Sequence, residues 1–281
     1  MEMEEFHSWI GRRENRDDRA TAAPLTCMAA ILDHDSAAYD HGDVVPPLWH
    51  WTYFLPTPRQ SQLGPDGHPL KGGFLPPIPL PRRMWAGSRV EFLRPLCVGD
   101  RISRESTIAD ISFKEGRTGP LAFVKVRHET SNDHGLAVVE QQDIVYRNQP
   151  KPAEPAASPT PAPDGAQWTR KIQPTTPLLF RYSALTFNGH RIHYDRPYAE
   201  REEGYSGLVV HGPLIATLLL DLLRRELPNA RVAEYDFRAV RPLLDTSDFA
   251  VCGKVQKDGT VTLWAQDSEG WLATSATARL G

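Results

Sequence analysis

Apolar and polar residues alternate along three successive runs, 101–111, 121–129 and 136–146. A period of two sends alternate side chains to opposite faces, so each run is predicted to be a strand with one buried face. Gly116, Gly119, Asn132 and Gly135 punctuate these runs and predict antiparallel hairpins. A strand at 88–92 leads into the turn 94–100, and further β-like runs lie at 168–172, 232–240, 249–256, 260–267 and 271–280. From Gly212 to about Leu223 the pattern changes. There Leu214, Ile215, Leu218, Leu219, Leu222 and Leu223 cover most of a helical circumference, which predicts a buried helix. The run 26–33 predicts a second, short apolar helix. Residues 1–20 alternate in charge and predict a helix with Phe6, Trp9 and Ile10 on one face.

Two stretches break the periodicity. Prolines recur from Pro46 to Pro81 with Trp49, Trp51, Tyr53 and Phe54 among them, and no regular helix survives that density. This segment reads as a long ordered surface excursion whose aromatics either line a groove or pack as an ordinary loop. Residues 150–165 (PKPAEPAASPTPAPDG) form a Pro/Ala linker that cannot pack a core. The linker divides an N-terminal domain, 1–149, from a C-terminal domain, 166–281; the alternative is a loop within one domain.

The halves read as a diverged repeat. Arg94-Pro95-Leu96 precedes strands in the first half as Arg241-Pro242-Leu243 does in the second, each after a helix and a strand. A sheet wrapped around one apolar helix satisfies the buried faces of both. The predicted class is therefore α+β, a double hot-dog fold with a helix at the centre of each half.

Composition narrows the function. A chain of 281 residues with 40% hydrophobic and 24% charged content is an ordinary globular one. A net charge of −3 and a pI near 6.4 give no footprint for nucleic acid or an anionic membrane. Cys27, Cys97 and Cys252 are far apart and make no CxxC pair, so neither a disulfide framework nor a zinc site is expected. The acidic, polar start lacks a signal-like apolar core, and the run 214–220 is too short to span a bilayer; a cytoplasmic location is expected. No GxxxxGK[ST], no GxGxxG after a strand, no HExxH and no GxSxG occurs, so ATP, dinucleotide, zinc-protease and serine-hydrolase chemistry lack their motifs.

The densest chemistry lies in 181–223, where Asn188, His190, Arg191, His193, Tyr194 and Asp195 fall within eight positions. His193 is the candidate general base, because an imidazole exchanges protons near neutrality. A lone loop histidine is more often a satisfied structural side chain; the polar cluster around this one argues for chemistry. Asn188 can hold a water or a substrate amide, or serve as the turn residue of Asn188-Gly189. Gly212 opens the predicted helix, where unpaired N–H groups suit a thioester oxygen gaining charge; the alternative is a plain tight turn, with His211 as a packing residue. Arg82, Arg83, Arg181, Arg191, Arg238 and Arg241 are candidate cations for a carboxylate or phosphate, each with a solvated surface role as the alternative, and Trp85 adjoins the first two. Asp195, Glu200, Glu202 and Glu203 read as a solvated, helix-like face.

The stretches Tyr182-Ser183-Ala184-Leu185-Thr186-Phe187-Asn188-Gly189-His190-Arg191-Ile192-His193-Tyr194-Asp195 and Gly207-Leu208-Val209-Val210-His211-Gly212-Pro213-Leu214 resemble the MaoC-like hydratases. Within that family the chain is most similar to the type 2 hydroxyacyl-thioester dehydratases and the mesaconyl- and itaconyl-CoA hydratases. Pro46-Pro47-Leu48-Trp49-His50-Trp51 and Leu80-Pro81-Arg82-Arg83-Met84-Trp85-Ala86-Gly87 resemble the N-terminal region of that group. The resemblance implies a double hot-dog fold, a homodimer, and reversible syn addition of water to an enoyl thioester. It implies no metal and no cofactor beyond the CoA carried by the substrate. In the family pattern D-x-N-P-[LIV]-H, His193 falls on the histidine, Asn188 on the aspartate, and His190 and Arg191 on the Asn and Pro; the type 2 subgroup shares this asparagine. Gly212 falls on the oxyanion-hole glycine. The expected catalytic set is then His193, Asn188 and Gly212, with Arg82, Arg83, Trp85, Arg191 and His211 binding substrate. The expected substrate is a short branched dicarboxylic enoyl-CoA, itaconyl- or mesaconyl-CoA, giving citramalyl-CoA. The competing readings are a 3-hydroxyacyl-thioester dehydratase of fatty-acid metabolism, a hot-dog thioesterase and a non-catalytic acyl-CoA-binding subunit. One active site per chain is expected, in the second half.

Overall fold

The computed structural model of the protein describes residues 3–35, 38–116, 119–149 and 158–281. Half of the predicted linker, 150–157, lies outside the described residues. The first half contributes β1 (Arg13–Arg19), α1 (Ala22–Ile31), β2 (Arg82–Phe92), β3 (Arg101–Gly116), β4 (Gly119–Asn132) and β5 (Gly135–Arg147). The second contributes β6 (Trp168–Ile172), α2 (Thr176–Leu185), α3 (Arg196–Arg201), α4 (Gly212–Glu226), β7 (Val232–Ala239), β8 (Phe249–Val255), β9 (Val261–Asp267) and β10 (Leu272–Leu280).

All ten strands join one antiparallel sheet in the order β1-β3-β4-β5-β2-β7-β10-β9-β8-β6. Taken inward from either edge, each half uses its strands in the same order: first, third, fourth, fifth, second. The turns repeat too. Leu93 and Arg94 both donate to the Ala137 carbonyl, as Val240 and Arg241 both donate to that of Ala273. Val45 bonds Leu96 as Val210 bonds Leu243. The duplication legible in the two Arg-Pro-Leu tripeptides is thus a duplication of backbone geometry. The halves meet where β2 pairs with β7. The backbones come so close there that a Cβ on Gly87 would lie 2.3 Å from the Phe237 carbonyl oxygen.

At the centre of the second half lies α4, with Leu214 to Leu223 buried without interruption. Burying a leucine side chain stabilises by about 1.5–3 kcal/mol, so this helix anchors the half. Its far end carries the buried Asp221, which accepts from Arg170 at 3.0 Å and Arg225 at 2.8 Å and contacts His34 at 2.6 Å. That hub ties α4 to β6 and to the chain just after α1.

Several expectations are corrected. Residues 1–20 do not form one helix: a short 3-10 segment, Met3–Trp9, gives way to β1. β1 is an edge strand with mostly exposed, charged side chains, and it is fixed by pairing with β3 rather than by an apolar face. The short helix begins earlier than 26, and α2 adds a helix to the predicted set, while α3 falls within the helix-like stretch 195–203. In the double hot-dog fold of this chain the two centres differ. Matching Val45 to Val210 sets Pro46-Pro47 against His211-Gly212, and the first half then has only a 3-10 turn, Trp49–Thr52, in the place of α4. Phe54, at φ 53°, ends that turn, and Pro56 and Pro58 prevent a continuation. Trp49, Tyr53 and Phe54 are buried, so these three pack as core rather than line a groove.

Candidate active site

The site is built where α2 ends, at a loop that returns to the start of α4. Thr175 caps α2 by accepting from the Leu178 N–H. After α2 the chain reverses through Phe187, at φ 49°. Asn188 then accepts the His190 N–H on Oδ1 at 3.0 Å, the geometry of an Asx turn. A 3-10 turn, Arg191–His193, presents His193, and Asp195 caps α3 through the Tyr198 N–H.

His193 is buried, and its Nδ1 lies 2.7 Å from the Val209 carbonyl oxygen. A carbonyl only accepts, so Nδ1 carries the hydrogen and Nε2 keeps its lone pair. Behind it His211 lies face to face, 3.7 Å between ring centres, and shares a 2.8 Å hydrogen bond between its Nε2 and Ser183 Oγ. In front, His190 stands edge-on at 5.4 Å, and His68 lies 4.0 Å beyond His190. Four imidazoles therefore form one row. Asp66 ends it, with Oδ2 accepting from His68 Nδ1 at 2.9 Å.

Burial keeps the row neutral. It pushes His193 down to about 4, against the pull of the Val209 bond. It pushes His190 down to about 2, helped by its His68 and His193 neighbours. Burial also holds His211 well below the usual histidine range and lowers His68 against the attraction of Asp66. Asp66 moves the other way: burial raises it, but the His68 hydrogen bonds outweigh burial and hold it below the ordinary carboxylate range. At neutral pH the row is four neutral rings and one carboxylate, with a free base at His193 Nε2.

Gly212 is the first residue of α4, and among the described residues its N–H has no acceptor. The nearest atom to a Cβ built there is the Trp85 carbonyl oxygen, 4.0 Å away, so the space above this backbone is open. A free N–H at a helix start is a ready donor to developing negative charge. In the first half, the matching position is Pro47, which has no N–H to offer.

His68 and Asp66 come from the proline-rich segment of the first half, which docks on the loop through backbone. The Asp66 carbonyl accepts the Arg191 N–H, and that of Pro65 accepts Arg191 Nη1, both at 2.9 Å. Gly67, at φ 86°, packs so tightly on Gly189 that a Cβ there would stand 1.8 Å from the Gly189 oxygen.

Of the expected site residues, His193, Asn188 and Gly212 belong to one loop-and-helix unit. Asn188 spends its carbonyl oxygen on the turn, leaving its NH2 group without a partner among the described residues. His211 is fully buried and bonded to Ser183, so it backs His193 rather than touching substrate. Arg82 is buried and committed to Glu203, donating to its carboxylate and carbonyl oxygens at 2.7 Å each. Glu203 is correspondingly no solvated face. Arg191 is committed to Asp195 at 2.7 Å, to Pro65 and to the Tyr198 ring. Arg83 alone of the three makes no ion pair among the described residues. Trp85 is half-buried, and its ring meets Trp51 at 4.9 Å. The sequence reading missed Asp66, His68 and Ser183 as site residues. Asp66-Gly67-His68 has the look of a plain turn, and only tertiary docking brings it to the row.

Asp66, His68 and His190 place ligand-type atoms within 4.8 Å of one another. The two rings overlap at 37° rather than converge, and Arg83 adds positive charge beside both. That environment suits a proton or an anion better than a divalent ion. Among the described residues no helix is long and apolar enough to cross a membrane.

A neutral buried imidazole stacked on the residue that precedes a free helix N-terminus is an arrangement suited to acid–base chemistry. The chain belongs to the hydroxyacyl-thioester dehydratase type 2 family, whose model matches residues 48–245. It is 48% identical over 284 residues to the mesaconyl-C(4)-CoA hydratase of Chloroflexus aurantiacus, with all of both chains covered. It is 27% identical over 231 residues to the mitochondrial hydroxyacyl-thioester dehydratase type 2 of Schizosaccharomyces pombe, covering 73% of this chain and 76% of that one. A solved MaoC-like dehydratase superposes with a TM-score of 0.74 at 15% identity, over 98% of this chain and 99% of the other. A Mycobacterium tuberculosis protein described as a double hotdog fold does so at 0.58 and 14% identity, over 97% and 96%. The protein is thus a hydro-lyase with a double hot-dog fold.

Proposed function

We propose that the protein adds water reversibly to a short branched dicarboxylic enoyl-CoA, with mesaconyl-C4-CoA as substrate and citramalyl-CoA as product. The observation that carries the reaction type is the free Nε2 of a neutral His193 beside the open N–H of Gly212. His193 Nε2 takes a proton from water as the oxygen bonds to the β-carbon, and the π electrons move toward the thioester oxygen. That oxygen is stabilised by the Gly212 N–H. The α-carbon then takes the proton back from the His193 imidazolium, on the face where water added. The NH2 group of Asn188 holds the water.

The dicarboxylic preference is supported by the full-length likeness to a mesaconyl-C(4)-CoA hydratase and by Arg83. In mesaconyl-C4-CoA the free carboxylate sits on the carbon that water attacks, so its cation must lie near the base. Arg83 acts on both His68 and His190 and carries no carboxylate of its own among the described residues. Directly across the β2–β5 pair, Tyr146 places a buried hydroxyl near Arg83 that meets no partner at hydrogen-bond geometry among the described residues, a second donor for the same anion.

The test is incubation of the purified protein with mesaconyl-C4-, itaconyl- and crotonyl-CoA, followed by mass spectrometry. Gain of one water by the dicarboxylic thioesters and little by crotonyl-CoA supports the reading. Hydration of crotonyl-CoA alone points to a fatty-acyl dehydratase, release of free CoA to a thioesterase, and no change to a binding subunit.

A further inference from the structure

A buried imidazole that takes a proton becomes a buried cation, and such a charge is costly without a counter-charge. Three carboxylates lie close to the histidine row. Asp195 is bonded to Arg191 and caps α3. Glu203 is bonded to the buried Arg82. Asp66 bonds only His68, through the His68 N–H at 3.0 Å and Nδ1 at 2.9 Å, among the described residues. It is the carboxylate near the row that no arginine neutralises, while Arg83 adds a positive charge from β2. Its position is built rather than incidental, since the Gly67–Gly189 contact and the two Arg191 bonds clamp its turn onto the catalytic loop.

We propose that Asp66 is the counter-charge for the proton that His193 takes from water, acting as a positioning residue through His68 and His190. The proposal rests on the hydratase reading. Asp66 stays ionised throughout, and the proton passes from water to His193 and on to the α-carbon, so the row returns to its resting charge. His68, with its Nδ1 hydrogen held by the carboxylate, turns its ring face to His190, and His190 turns its edge to His193. The groups that face the row are Asp66, Glu203 with its Arg82, Arg83 and the rings themselves, and Lys71 and Tyr198 lie within electrostatic reach of Asp66. Of these Asp66 is the carboxylate to which no arginine is bonded among the described residues.

The test uses the full chain and whichever enoyl thioester the wild type hydrates. Because activity requires the neutral base, kcat/KM rises with pH as the imidazolium deprotonates. Removing a negative charge lowers that midpoint, by about one pH unit for a separation on the order of 10 Å at an effective dielectric near 20. Asp66→Asn is expected to lower kcat by roughly tenfold or more, leave KM within about threefold, and move the acid limb to lower pH by that amount. Asp66→Glu restores both. His68→Gln keeps the Asp66 charge in place and is expected to move the acid limb less than Asp66→Asn does. An unmoved acid limb in Asp66→Asn, or a loss confined to KM, overturns the proposal while leaving the hydratase reading intact. A wild type that hydrates no enoyl thioester overturns the reading, and the proposal with it.

Discussion

His193 and His211 lie face to face, 3.7 Å between ring centres and 18° from parallel. The two rings fix each other in the direction normal to their planes, while Val209 fixes the rotation of His193 and Ser183 that of His211. A base held on both axes needs little reorganisation when water arrives, which is where an enzyme gains rate. The next residue, Gly212, opens α4, so the backing of the proposed base and the proposed oxyanion donor are consecutive along the chain.

Gly212→Pro removes the N–H while suiting the first helical turn, and His211 at φ −61° and ψ 129° already has the backbone that precedes proline. The first half has Pro47 in the matching place. Loss of one oxyanion donor costs about 2.7–4 kcal/mol, so kcat should fall by roughly 100–1,000-fold with the melting temperature little changed. Steady-state kinetics beside thermal unfolding checks this; an unimpaired kcat would remove Gly212 from the mechanism.

Arg82 and Arg83 are adjacent, yet they should fail differently. Arg83→Met is expected to raise KM for a dicarboxylic thioester by about 10–100-fold, as loss of a charged hydrogen bond worth about 1.5–3 kcal/mol, and to leave crotonyl-CoA kinetics unchanged. Arg82→Met strands the buried Glu203 carboxylate and should destabilise by about 3–5 kcal/mol. Paired kinetics and denaturant titrations separate the two outcomes.

Asp221 is buried under His34, Arg170, Arg224 and Arg225. Asp221→Ala leaves the three arginines without their shared acceptor and should cost about 3–5 kcal/mol. Activity per folded molecule should persist, because the hub sits at the far end of α4 from Gly212. A denaturant midpoint equal to wild type would show the hub to be dispensable.

Acid should unfold the protein through its histidines. A group whose folded pKa is depressed leaves the unfolded state binding more protons, so stability falls as pH drops below the unfolded value near 6.5. For His193 the fall continues to about 4. His128, pushed down to about 4 mainly by burial, acts over the same window. Each contributes a slope of about 1.4 kcal/mol per pH unit there. Urea midpoints between neutrality and pH 4 should decline steeply, and less steeply in His128→Gln; parallel curves would contradict the assignment.

Much of this architecture is written locally. The β3, β4 and β5 runs and the buried face of α4 follow from periodicity, and the two Arg-Pro-Leu turns mark the repeat. What was hidden depends on distant partners. The charged run of β1 becomes a strand only because β3 pairs with it. Arg82 reads as a substrate cation until Glu203, 121 residues away, is seen to hold it. Asp66 and Arg191 are 125 residues apart, and no local pattern announces their contact. His193 and Gly212 could be nominated because they lie in one short stretch of sequence, whereas the row around His193 draws on both halves.

The most direct test of the central claim is hydration of mesaconyl-C4-CoA in heavy-oxygen water by the wild type and by His193→Ala. The account predicts that the wild type forms citramalyl-CoA carrying one labelled oxygen, and that the folded variant forms none above background. Labelled product at wild-type rate from His193→Ala would contradict it.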